Sequence, residues 1–160
     1  MRVTLSIGLV GVGLALLGSA PLVAHHAFGG EFDANRPILL RGQVTKVEWV
    51  NPHAWIHVTV KCDGKPSTNT VVCAGKPAGV SEEWMVEGGT PNTLLRRGIT
   101  KETLVFGTEV IVDGYQTRDH SLLRANGRNI TFPDGRKLFL GSSGTGAPRD
   151  GADPSESGKK

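Results

Sequence analysis

The chain has 160 residues with two cysteines, five histidines, 22 glycines and only 6% aromatic residues. That length suits one ordinary domain and excludes a multidomain machine. The 18 Lys and Arg against 15 Asp and Glu leave a formal charge of +3, too small a bias to require nucleic acid or a strongly anionic membrane as partner.

Met1 to Ala24 carries a single charge, at Arg2, and an apolar, glycine-interrupted stretch from Val3 to Leu17. This is the layout of a secretory signal peptide. Cleavage after Ala24 makes His25 the first residue, and loss of Arg2 takes the charge from +3 to +2. An uncleaved anchor is the competing reading, since roughly 20 residues span a bilayer, but the glycines and the weak charged flank favour a leader. No cysteine follows the apolar run, which excludes a lipid-modified terminus. The expected product is periplasmic or secreted, without stable membrane insertion after cleavage, and divides into a leader at 1–24, a domain at 25–141 and a disordered tail at 142–160.

From Ile38 to Val50 the residues read as a strand, with Gly42 inside it and a slip in alternation between Val44 and Val47 that predicts a bulge and a strong bend. After the Asn51-Pro52 turn, Ala54, Ile56, Val58 and Val60 fall on one face of a second strand, and His53, Trp55, His57 and Thr59 on the other. Cys62 and Cys73 enclose a turn-rich stretch. In an oxidising compartment they read as a bridge that staples this loop, because redox pairs prefer C-x-x-C spacing and two cysteines alone are a poor zinc site. Glu82 to Glu87 reads as a third strand. Thr90 can cap and Pro91 can open a helix of about two turns that stops at Gly98. Thr108 to Tyr115 and Leu122 to Phe132 give the fourth and fifth strands, and Lys137 to Leu140 a last short apolar piece. Three strands, one short helix, then two strands is the element order of an OB-like five-stranded barrel, with the bent first strand serving both halves of the sheet.

The residues HHAF at 25–28, EFD at 31–33, G-x-V-x-x-V-E-W at 42–49, NPHAWI at 51–56, LLRRG at 94–98 and PDGRKLF at 133–139 together resemble a family of small exported bacterial proteins catalogued as a domain of unknown function. The resemblance runs from His25 to Ser143 and implies an exported, OB-like protein without supplying an activity. Ala27 stands where that family commonly has Ser, and Cys62 to Gly79 looks like an insertion.

Chemistry can reside in three places. A mature His25 would offer its α-amino nitrogen and imidazole to one ion, with His26 beside it and His53 as a further ligand, and such nitrogen donors suit copper. His53 and His57 lie about 13 Å apart along a straight strand at roughly 3.3 Å per residue, so one ion cannot take both. Trp55 and His57, with Trp49, offer a ligand face on the outside of the second strand. Arg96, Arg97, Arg118, Arg124, Arg128 and Arg136 are the material for a basic patch, though interspersed acids favour a solvated surface. No G-x-S-x-G, Walker, H-E-x-x-H or Rossmann signature occurs, so no catalytic activity is inferred. The sequence therefore points to an exported binding protein of unassigned ligand, with a copper-binding protein and an envelope scaffold or assembly component as the alternatives; the partner is a small molecule, a metal ion or an envelope protein, and nucleic acid is disfavoured.

Overall fold

A computed structural model describes residues 28–65 and 70–154; the leader expected at 1–24, with His25 and His26, lies outside the described residues. Among the described residues no helix is long and apolar enough to cross a membrane. The protein is mainly β. Helix α1 (Phe28–Glu31) leads into β1 (Phe32–Glu48), followed by β2 (Trp55–Lys61), β3 (Ser81–Glu87), helix α2 (Pro91–Arg96), β4 (Glu109–Thr117), β5 (Arg124–Thr131) and β6 (Lys137–Phe139).

The strands form one sheet in the order β3-β2-β1-β4-β5-β6, all neighbours antiparallel. A short parallel run from Met85↔Arg124 to Glu87↔Asn126 also joins β3 to β5. Pairing therefore passes from β1 through β2, β3, β5 and β4 back to β1, with β6 outside that circuit.

The long first strand makes this circuit feasible. Its earlier part pairs with β4, ending at Gln43↔Glu109, and its later part pairs with β2, starting at Gln43↔Thr59. The handover falls beside Gly42, and the register shifts between Val44 and Lys46, where the sequence predicts a slip. Alternation then decides what is inside. Leu40, Val44, Ile56, Val58, Trp84, Val86, Val112 and Ile130 are fully or almost fully buried in one core, and α2 closes it with Leu94. Thr90 caps α2 by accepting the Thr93 N–H at 3.3 Å, Pro91 takes the first turn and Gly98, at φ +83°, lets the chain leave.

Several expectations need correction. Among the described residues there are six strands rather than five, because Lys137–Phe139 pairs with β5. β1 begins at Phe32 instead of Ile38, across an irregularity between Phe32 and Pro37 that still contacts β4. β5 begins at Arg124, leaving Leu122 and Leu123 exposed. The α1 turn is an additional helix. It forms because Phe28 and Phe32 pack with Ala147 and Tyr115 in a second small core, with the Phe28 and Tyr115 rings edge-on at 5.4 Å.

As far as Pro154, the stretch expected as a disordered tail lies against the sheet. Arg97 donates to the carbonyls of Phe139 and Gly141 and to Ser143, at 3.2, 2.6 and 2.9 Å. Arg128, buried rather than solvated, reaches Asp150 at 2.8 Å. Its guanidinium and that of Arg97 both lie over the Phe139 ring, so two arginines proposed for a basic patch are fasteners for this segment. Burial pushes the Asp150 carboxyl up, but the Arg128 hydrogen bond, the Ala152 N–H and the Arg128 charge outweigh it and hold the group below the ordinary aspartate range. A depressed native pKa adds stability that is complete above the unfolded value and is lost as pH falls through the native one. The 142–154 segment is accordingly expected to loosen on acidification to below the ordinary aspartate range, read as narrowing NMR lines for Ala147 to Asp153; in Asp150→Asn the segment should be loose at every pH.

Candidate functional site

His53 lies in the turn between β1 and β2, just after the cis Asn51-Pro52 bond. Its neighbour Ala54 is fixed from both sides, donating to the Gly89 carbonyl at 3.0 Å and accepting from Gly88 at 2.8 Å. The half-buried ring thus sits at the end of β3, with Nδ1 3.7 Å from Glu87 Oε1 and 3.3 Å from Ser142 Oγ. Among the described residues Nε2 has no hydrogen-bond partner. Ser142 and the nearby Glu87 carboxylate thus both face the Nδ1 side of the ring. The Ser142 turn also holds the start of the described chain: Thr145 Oγ1 donates to the Ser142 carbonyl at 3.4 Å, and Phe28 N–H donates to the Thr145 carbonyl at 3.0 Å.

The outer face of β2 is already engaged. The Arg124 guanidinium stacks 4.6 Å above the Trp55 ring and is tied to Glu31 at 3.1 Å. His57 Nε2 lies 2.8 Å from Glu48 Oε1, and its Nδ1 3.5 Å from Glu83 Oε1. The Lys46 ammonium, and then the His57 ring, hold the Glu48 carboxyl below its ordinary range. Trp49 follows β1 and packs half-buried against the main core. The structure thus separates Trp49 from the face that Trp55 and His57 share. Two open grooves, of about 430 and 520 Å³, lie elsewhere, one beside Arg41 and Glu109, the other beside Asp113 and Lys137.

Cys62 and Cys73 form the expected disulfide, with Cα atoms 5.5 Å apart. Beside it is a carboxylate that no spacing in the sequence singles out from its neighbours. Glu82 is buried on the core face of β3, where its Oε2 accepts the Cys73 N–H and the Trp84 Nε1–H, each at 2.9 Å. One ligand atom from each of Cys62, Cys73 and Glu82 lies within 4.8 Å of the other two, a grouping that can hold a metal ion. The signal for Glu82 was the period of two: Trp84 and Val86 point inward, so Glu82 does too. Opening the bridge as Cys62→Ala/Cys73→Ala should cost roughly 2–3 kcal/mol for so short a loop, measured as a lower urea midpoint.

These features define a small, mainly antiparallel β protein with a disulfide-stapled loop and a carboxylate-backed histidine at the end of its sheet. The chain belongs to the family of unknown function DUF6152, whose model matches residues 14–125. Neither the comparison with curated proteins nor that with solved structures returns a match.

Proposed function

We propose that this is an exported, non-enzymatic binding protein built on an OB-like barrel, and that its ligand is a copper ion held by His53 with His25 and His26 of a processed terminus. The closed strand circuit supports the barrel reading. The observation that carries the function is His53 itself: one ring nitrogen faces Glu87 and Ser142, and the other is unengaged. His25 stands three residues before Phe28, within about 10 Å of chain, and Phe28 is tied through Thr145 to the turn that touches His53. Amine and imidazole nitrogens place Cu(II) ahead of other divalent ions. His57, locked between Glu48 and Glu83, is not a ligand on this reading.

The test starts with intact mass spectrometry of protein exported by its native host, followed by copper titration of the same material. The expected result is a chain beginning at His25 that binds one copper, with affinity lowered at least tenfold by His25→Ala or His53→Ala and unchanged by His57→Ala. A His25 terminus that ignores copper refutes the reading.

A further inference from the structure

The disulfide region contains a feature that stapling does not account for. A carboxylate withdrawn from water needs hydrogen bonds and, while charged, a compensating charge. Glu82 obtains the first from Cys73 N–H and the Trp84 indole. Among the described residues no Lys, Arg or His pairs with it, and both of those donors fall on Oε2. A carboxylate oriented by two donors, with an oxygen within 4.8 Å of two sulfurs, has the form of a metal ligand already supported by its surroundings.

We infer that Cys62, Cys73 and Glu82 form a latent site for a divalent ion of the zinc class, closed while the cysteines are bridged and opened by a dithiol reductant. The chemistry balances in two steps. The dithiol passes two electrons and two protons to the bridge, so that the S–S bond breaks, two thiols form and the reductant leaves as its own disulfide. The ion then displaces both thiol protons to solvent and forms two metal–sulfur bonds, with the Glu82 carboxylate as third ligand. Two thiolates and a carboxylate suit a borderline-soft d10 cation, whose tetrahedral ligands lie about 3.5–4 Å apart. The donor atoms already fall within 4.8 Å of one another, and the sulfurs need only part by side-chain rotation on Cα atoms 5.5 Å apart. Two cysteines alone are a poor site; the inward glutamate supplies the missing donor.

This inference is independent of copper at His53, and the experiment keeps them apart by using the full chain carrying His53→Ala. The protein is reduced with a phosphine and titrated with Zn2+ against a chromophoric chelator, with Co2+ as optical probe. The reduced chain is expected to take up one Zn2+, to show thiolate-to-Co2+ charge-transfer absorption and to melt higher with Zn2+ than without; the oxidised chain should do none of these. Glu82→Gln should weaken Zn2+ binding about tenfold or more. Equal affinity in Glu82→Gln overturns the proposal, as does a reduced chain that takes up no Zn2+. If the reduced apo chain unfolds, Zn2+ must restore its β circular-dichroism spectrum, and failure to do so also overturns it. Should Glu82→Gln itself fail to fold, Cys62→Ser/Cys73→Ser, which keeps Glu82, must lose all Zn2+-dependent stabilisation; retention of it overturns the site.

Discussion

Trp84→Ala is expected to take away a large share of the domain's stability, because truncating a buried tryptophan removes about 3–5 kcal/mol from a total of roughly 5–15 kcal/mol. Trp84 is the largest fully buried side chain, set on the inner face of β3 opposite Val58 of β2. Its loss vacates the centre of the core and also takes a hydrogen bond from Glu82, whose carboxylate lies out of water. Trp84→Phe separates the two effects. It keeps most of the aromatic volume while deleting the indole N–H that Glu82 accepts, so its cost should be smaller, about 1–3 kcal/mol for a buried acceptor losing a donor. Circular dichroism in urea is the suitable measurement, since Trp84 is itself a fluorophore. An unchanged midpoint in Trp84→Ala would show that the ring does not hold the core.

The strands were legible because their chemistry is local. Ala54, Ile56, Val58 and Val60 alternate without interruption, and all four are buried. Thr90, Pro91 and Gly98 mark the bounds of α2 with side-chain and backbone chemistry that needs no partner. Gly42 and the slip after Val44 announced the bend. What stayed hidden depends on residues distant in sequence. Arg128 looks like surface until Asp150 and Phe139 are brought to it, and the 142–154 segment, lacking apolar periodicity, is held by side-chain and backbone hydrogen bonds and salt bridges that periodicity does not report. Of the candidate site, His53 was readable as a turn histidine, but Glu87 and Ser142, its partners, come from β3 and from beyond β6. Trp55 stands on the outer face of β2, but Arg124, which covers it, lies on a strand joined to β3 by the parallel run that closes the circuit.

Gly42 sits at the handover in that circuit, and Gly42→Ala is expected to weaken it out of proportion to a single methyl group. A Cβ at Gly42 would collide with the Thr59 carbonyl oxygen. A flexible side chain could swing aside, but a backbone oxygen in a ladder can move only if the strand moves. β2 would have to retreat from β1 at Gln43↔Thr59, the pair where β1 passes from β4 to β2. Overpacking of this kind costs about 1–3 kcal/mol, and the upper end is expected here because the obstruction is main chain. The matched control is Gly29→Ala, where a Cβ meets nothing within 4 Å and stability should stay within about 0.5 kcal/mol. Hydrogen exchange locates the damage: in Gly42→Ala, amides of β2 around Thr59 should lose protection before those of β4 and β5. If protection instead falls evenly across all strands with no loss of stability, β1 tolerates the methyl group and its bend does not depend on glycine.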